Sequence, residues 1–216
     1  QGFSMGFMSS IVSAGSVILQ YGINGLGYLV IAAHTAARKL YMFTSMPVIT
    51  MGMAFSTFVS QNRGADKGDR IRRGLRYVAV YDVAVTMAVV ALMFFCASGL
   101  VRWISGSTEP EVLENGTLYL LIVSPFYMVL GVLIATRCAL QGLGQKLLPL
   151  VSSVIEFFGK ILFVAAFIPR FQYMAVIFCE PVIWCVMTAQ LLYTFYHDSY
   201  IRSFRKGQRR HEDMER

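Results

Sequence analysis

Charged residues are scarce in this chain. Only 14% of its 216 residues are Asp, Glu, Lys or Arg, whereas soluble domains contain about 25%. No charged residue occurs in 1–37, and charge-free runs follow at 40–62, 83–101 and 115–136. Each run is long enough to cross a bilayer, which takes about 20 apolar residues. The composition therefore excludes a soluble enzyme, a disordered tail and a nucleic-acid module, and it predicts an all-α integral membrane protein.

Sequence patterns that would indicate catalysis or a bound group are also absent. The glycines at 22–27 lack a preceding strand, no Walker lysine motif occurs, and no Ser, His and Asp set suits nucleophilic catalysis. We therefore expect neither an enzyme nor an ATP-driven pump, and no organic cofactor. The cysteines lack the spacing of a disulfide framework or of a metal site, and we predict that all four are small buried hydrophobes: Cys96, Cys138, Cys179 and Cys185.

The start of the chain carries no recognisable signal peptide. The first residue is Gln1, and no basic region precedes the first apolar stretch. We expect a fragment that begins partway through a longer protein.

Hydropathy predicts six membrane spans within a lobe covering 1–200, followed by a basic cytoplasmic tail at 201–216. The six predicted spans are 3–24, 29–60, 75–100, 117–140, 147–168 and 173–196. Polar loops are expected at 61–74 and 103–116. Pro47 and Pro125 are expected to kink the second and fourth spans.

The distribution of basic residues predicts the orientation. Fourteen of the 19 Lys and Arg residues fall in the loops after spans two and four and in the tail. The opposite side has only Arg102 and Arg170. Because Lys and Arg in short loops are retained in the cytoplasm, we predict a multi-pass protein of the cell membrane with both ends of this chain cytoplasmic.

Charged side chains inside the spans are the first candidate sites. They comprise Arg38, Lys39, Asp82, Glu156, Lys160 and Glu180. At a rise of about 1.5 Å per residue, Glu156, Lys160 and Glu180 lie at similar depths in the membrane, which predicts a ladder of ion pairs among them. The other three likewise share one depth and predict a second ion-paired group. Such groups either form structural ion pairs or belong to an ion or substrate pathway, and one excess carboxyl could act as a proton relay.

Two amides on the first span are a second candidate site. Gln20 and Asn24 are four residues apart and therefore lie on one helix face. They can bind a polar substrate or link neighbouring helices through hydrogen bonds.

Several segments resemble the multidrug and toxic compound extrusion (MATE) family. The most specific is QNRGADKGDRIRRG, which follows a long apolar span and opens with Gln61, Asn62, Arg63, Gly64 and Ala65. Further resemblance lies in AAHTAARKLYMFTSMP, QYGINGLG, TRCALQGLGQKLLP, SSVIEFFGK and CEPVIW. Their order is similar to that of the carboxyl-terminal half of such a transporter, from about Gln20 to Trp184.

The resemblance implies one six-helix lobe of a two-lobe transporter, whose partner is a missing amino-terminal lobe of the same polypeptide. It implies efflux of cationic or amphipathic drug-like compounds in exchange for protons or sodium, by alternating access within membrane lipid. Family members that couple through this lobe carry acids in its first and fourth helices. This chain has Gln20 and Asn24 in the first and no acid in the fourth, so either the other lobe binds the ion or Glu156 and Glu180 do.

Two alternatives stay open at this stage. Arg38, Lys39 and Lys160 suit the anionic pyrophosphate of a lipid-linked oligosaccharide, which a flippase of the same superfamily would carry. A non-transporting half-size membrane subunit would follow if this half exists alone.

Overall fold

Long apolar helices make up almost all of the chain. The computed structural model describes residues 2–145 and 147–203, and this part of the chain contains no β-strand. The helices are α1 (Gly2–Asn24), α2 (Tyr28–Gly64), α3 (Gly68–Ser105), α4 (Pro110–Val123), α5 (Tyr127–Gly142), α6 (Leu147–Leu162) and α7 (Ile168–His197). A 3₁₀ turn, Ser124–Phe126, joins α4 to α5, and a π-helical turn, Phe163–Phe167, joins α6 to α7. The all-α prediction is confirmed.

The helices are long enough for six membrane crossings. Five continuous helical stretches have the length and hydropathy of a span, and the last of them, Leu147–His197, contains 51 residues. A straight helix of that size would be about 75 Å long, more than twice the thickness of the hydrocarbon core. The backbone breaks at Gln172, where φ is 47° and ψ is −129°. The stretch therefore supplies two crossings.

The loops are much shorter than the predicted ones. Instead of a polar loop at 61–74, α2 continues to Gly64 and α3 starts at Gly68. Instead of a loop at 103–116, α3 continues to Ser105 and α4 starts at Pro110. Because α2 has 37 residues and α3 has 38, both exceed the length that a bilayer requires, and their polar ends extend beyond it as helix.

The two prolines that were expected to kink helices have different effects. Pro125 lies in the 3₁₀ turn Ser124–Phe126, as expected for a residue that lacks the N–H needed for an α-helical hydrogen bond. Pro47 instead lies inside the continuous helix α2. A further proline, Pro169, follows the π-helical turn. That turn was not predicted from the sequence.

Helices α2 and α5 form the centre of the bundle. α2 packs against α3, α4 and α5, and α5 packs in addition against α3 and α7. α6 lies between α1 and α7, and α1 packs mainly on α6. The peripheral helix α3 buries a single stripe of side chains: Ile71, Leu75, Val78, Asp82, Thr86, Val89, Met93, Ala97 and Val101. This spacing of three and four residues is that of one helix face.

Close packing between α2 and α5 depends on glycine. A Cβ atom on Gly142 would lie 2.7 Å from the backbone oxygen of Ser56 and 3.0 Å from Cβ of Val59. We expect Gly142→Ala to lower the free energy of unfolding by about 1–2 kcal/mol, because the two helices must move apart. Denaturant unfolding of the protein in detergent micelles measures this change.

Gly99→Ala is the matched control for Gly142→Ala. Gly99 also lies within a helix, but a Cβ atom there would meet nothing within 4 Å. The control should be neutral or stabilising by up to about 1 kcal/mol, since alanine favours helix more than glycine does. Equal losses in both variants would show that the close approach of α2 and α5 has no energetic importance.

A polar cluster, the terminal clasp, joins three chain segments at one end of the bundle. Nε2 of Gln145, between α5 and α6, donates to Oδ2 of Asp198 at 2.8 Å. The hydroxyl of Tyr200 donates to Oδ1 of Asp66, in the turn between α2 and α3, at 3.2 Å. Burial and this hydrogen bond raise the pKa of the Tyr200 phenol. The clasp therefore links two interhelical turns to the segment after α7.

The segment after α7 is only partly described. Asp198 Oδ1 accepts hydrogen bonds from the backbone N–H groups of Tyr200 and Ile201, and 199–203 are helical. An aspartate in this position is a favourable helix N-cap. Of the predicted basic tail at 201–216, residues 204–216 lie outside the described residues, as does Lys146.

Candidate functional site

A partly buried ion pair joins α2 to α7. Nη1 of Arg38 lies 2.7 Å from Oε1 and 2.6 Å from Oε2 of Glu180, and only 7% of Glu180 is exposed. The predicted grouping of Arg38 with Asp82 is therefore wrong, whereas Lys160, which was grouped with Glu180, lies within electrostatic range of that carboxylate without a direct ion pair. Rise per residue gives depth in the membrane, but it does not say which helices are neighbours around the bundle.

Aromatic side chains surround the Arg38–Glu180 pair. The guanidinium carbon of Arg38 lies 4.8 Å from the ring centroid of Tyr41, which stacks on Trp184 at 5.9 Å. The hydroxyl of Tyr119 donates to Oε2 of Glu180 at 3.4 Å. These contacts help to satisfy a charged pair whose carboxylate is buried and whose arginine side chain is 33% exposed. These aromatic residues were not predicted, since tyrosine and tryptophan in apolar spans carry no specific signal.

A second ion pair lies within α6. Nζ of Lys160 donates to Oε1 of Glu156 at 2.8 Å and to Oγ of Ser16, on α1, at 3.3 Å. The lysine side chain is 3% exposed and the glutamate 13%. This half of the predicted ladder is present, because residues four apart on a helix are always neighbours. Glu180 lies within electrostatic range of Lys160, but its direct ion pair is with Arg38. The contact of Lys160 with Ser16 was not predicted.

Asp82 is a buried charged residue whose carboxyl oxygens have no hydrogen-bond partner among the described residues. Its exposed fraction is 0%. Its side chain packs on Gly131 of α5, where a Cβ atom would lie 2.8 Å from Asp82 Cβ. One turn along α3, the buried hydroxyl of Thr86 also lacks a hydrogen-bond partner. The predicted pairing of Asp82 with Arg38 and Lys39 is therefore wrong.

Three other predicted site residues are exposed. Nε2 of Gln20 donates to Oδ1 of Asn24 at 2.9 Å, so the two amides share a helix face as predicted, and both are exposed. Lys39 is exposed on α2, and none of the ion pairs among the described residues includes it. These groups lie apart from the buried pairs.

The residues that carry the most specific resemblance end helix α2. They are Gln61, Asn62, Gly64 and Ala65. The backbone N–H groups of Ala65 and Lys67 donate to the carbonyl oxygens of Gln61 and Asn62. Asp66 follows with φ of 55°, a left-handed conformation that aspartate tolerates. In this structure the motif forms a helix end and turn.

The cysteines are less buried than predicted. Cys179 is buried and Cys138 is intermediate, but Cys96 and Cys185 are exposed. Both lie on helices with apolar outer surfaces, where a membrane-facing side chain has no other helix to cover it.

Known proteins resemble this chain over most of its length. The probable multidrug resistance protein YoeA of Bacillus subtilis is 22% identical over 189 residues, which are 86% of this chain and 40% of YoeA. A MOP superfamily transporter from Pyrococcus furiosus, described as having a binding pocket of reverse polarity, has a TM-score of 0.78 at 14% identity. It is matched over 92% of this chain and 44% of its own.

A second solved structure has a similar fold. The Vibrio cholerae MATE transporter VcmN in its bent form has a TM-score of 0.75 at 16% identity, over 91% of this chain and 44% of VcmN. The chain thus spans less than half the length of the relatives it matches, and its long apolar helices are those of a multi-pass membrane protein. The MatE family model matches residues 5–166, more than half of the chain, and the chain therefore belongs to the MatE family.

Proposed function

We propose that this chain forms one lobe of a secondary transporter that exports cationic or amphipathic compounds in exchange for protons or sodium. The similarity to MATE transporters supports one lobe, since 92% of this chain matches 44% of a solved transporter. The name of YoeA supports multidrug export. Alternating access would follow from rocking of this lobe against a second one around a site near the membrane midplane.

The similarity to MATE transporters carries the proposal, and the exposed charge of Lys39 indicates where a cavity would lie. This lysine lies 11 residues into α2, about 16 Å from the start of the helix, and forms no ion pair within the described chain. A charge at that depth needs water or a polar partner. A lobe packed alone in lipid offers neither, so we infer that this face of α2 borders a water-filled cavity.

Neighbouring side chains on α2 suit a cavity wall that accepts varied compounds. Met42, Met46 and Met53 are each more than half exposed and follow Lys39 at helical spacing. Methionine is flexible and polarizable, and it packs against ligands of different shapes.

The exposed amides of α1 support the same inference. Gln20 and Asn24 bond to each other, which leaves further donors and acceptors unsatisfied in an apolar surrounding. Polar groups in a span usually face a helix partner or a cavity. We propose that both amides face the second lobe or the compound carried.

Asp82 is our candidate for the coupling carboxyl of this lobe. Glu180 and Glu156 each form a short ion pair. Neither carboxyl oxygen of Asp82 has a hydrogen-bond partner in the part of the chain that the structure describes. A carboxyl that no base neutralises is free to take up a proton or sodium ion. Binding of that ion and release of a cation are then linked, since both depend on the same charge.

The competing function is a flippase for a lipid-linked anion, and one observation favours it. Lys39 presents a positive charge on the inferred cavity wall, which attracts a pyrophosphate and repels a cation. Transport of paired dyes of opposite charge distinguishes the two functions.

The test measures export of a fluorescent monovalent cation from cells that lack their own multidrug pumps. The cells produce the whole protein as its gene encodes it. We expect export that stops when the proton or sodium gradient is collapsed. Lys39→Gln should speed cation export by up to about fivefold, because it removes a repulsion of roughly 1 kcal/mol. Arg73→Gln, a change of the same charge at an exposed residue at one end of α3, is the matched control and should leave the rate unchanged.

Other results would change the conclusion. Export of a fluorescent anion alone, lost in Lys39→Gln, would replace the drug exporter by the flippase. Absence of gradient-dependent movement of either dye, with normal amounts of folded protein in the membrane, would refute transport.

A further inference from the structure

A polar groove lies between α1, α5 and α6, away from the Arg38–Glu180 pair. Its volume is about 350 Å³, and its polar lining includes Ser13, Arg137, Gln141 and Ser153. Met8 and Val12 of α1 form an apolar side of the groove. None of these residues has a role in the proposed transport function.

The guanidinium of Arg137 has unused hydrogen-bond donors. Its Nε and Nη2 atoms are buried and make no hydrogen bond to any other described residue, and the same holds for Oγ of Ser153. The acid Glu156 of α6 lies within electrostatic range of Arg137, but its hydrogen bond is with Lys160. Leaving donors of a buried cation unsatisfied is costly, and a guanidinium fork fits the paired oxygens of a phosphate or carboxylate.

The groove lies near one end of the lobe rather than at its middle. Arg137 is five residues before the end of α5, and Ser153 is six residues after the start of α6. Both are therefore about 8–9 Å from the same end of the bundle. That end carries the α2–α3 turn, where Arg63, Lys67 and Arg70 are exposed, so the surroundings attract anions.

We propose that this groove binds a phosphate group, with Arg137 as its main ligand and the hydroxyl of Ser153 as a second donor. The apolar side formed by Met8 and Val12 suits an alkyl chain attached to the phosphate, as in an acidic phospholipid headgroup. This site is separate from the inferred cavity wall on α2, and the proposal holds whether or not the protein exports drugs.

The experiment measures binding of phosphatidylglycerol and of phosphatidylcholine to the purified full protein in neutral detergent, by native mass spectrometry. We expect a preference for phosphatidylglycerol that falls at least about tenfold in Arg137→Gln, because charge-assisted hydrogen bonds are lost. Arg137→Lys, which keeps the charge but not the fork, should retain part of the preference. Ser153→Ala should weaken it by a smaller factor.

Arg76→Gln is the matched control, since it removes one positive charge from an exposed position at the same end of the lobe. It should leave the lipid preference unchanged. Competition by millimolar inorganic phosphate would identify free phosphate as the ligand, whereas binding that requires acyl chains would identify the headgroup. An unchanged preference in Arg137→Gln and Arg137→Lys, or equal losses in Arg137→Gln and Arg76→Gln, would overturn the proposal.

Discussion

Glu180→Ala is expected to lower the free energy of unfolding by about 2–3 kcal/mol, less than for a fully buried pair because 33% of the Arg38 side chain is exposed. The substitution leaves the guanidinium of Arg38 in an aromatic surrounding without the carboxylate that it contacts at 2.6 Å and 2.7 Å. Removal of one partner of a buried pair costs more than removal of both, since the remaining charge stays desolvated. It also removes the acceptor for the Tyr119 hydroxyl.

Denaturant unfolding in detergent micelles measures the loss, and Trp184 is a natural fluorescent reporter because it stacks on Tyr41 beside the pair. Glu114→Ala, at an exposed residue of α4, is the matched control and should change stability by less than about 0.5 kcal/mol. The double variant Arg38→Met with Glu180→Leu should recover most of the stability. A double variant as unstable as Glu180→Ala would show that the isolated charge is not the cause.

Asp82→Ser is expected to have the opposite effect and to raise the free energy of unfolding by about 2–3 kcal/mol. A carboxylate here is buried with no partner. Serine can donate to the carbonyl oxygen one turn earlier, as Thr44 and Thr136 do on α2 and α5. Ala84→Ser on the exposed side of α3 is the matched control and should be neutral.

Transport by the same variant tests the proposed role of Asp82. We expect export driven by the ion gradient to fall at least about tenfold, although the protein is more stable, because the coupling carboxyl is gone. Functional sites commonly contain groups that lower stability. A stabilised variant with normal gradient-dependent export would remove Asp82 from the coupling mechanism and leave that role to the second lobe.

The sequence was a good guide to the helices because membrane spans depend on a one-dimensional property. A helix in lipid must satisfy its own backbone and present apolar side chains, so the charge-free runs at 83–101 and 115–136 each fall within helical segments. Helix ends were predicted less well. The segment 61–74 is polar, but polarity alone does not stop a helix, and only the turn at 65–67 breaks it.

Contacts within the candidate site also differ in how well the sequence predicts them. Partners four residues apart on one helix, Lys160 with Glu156 and Gln20 with Asn24, follow from helix geometry and were expected. Partners on different helices depend on which helices lie side by side, and depth alone cannot supply that. Arg38 therefore paired with a glutamate 142 positions away and not with Asp82.

The terminal clasp has a consequence for motion. Asp66 lies between α2 and α3, Gln145 lies between α5 and α6, and both bond to the segment after α7. Helices joined in this way at one end cannot swing apart there, so they should turn as a single rigid body. α1 has no clasp residue and packs mainly on α6, with a turn at Gly25–Gly27 as its link to α2. We therefore expect any movement within this lobe during the proposed transport cycle to be concentrated in this first helix.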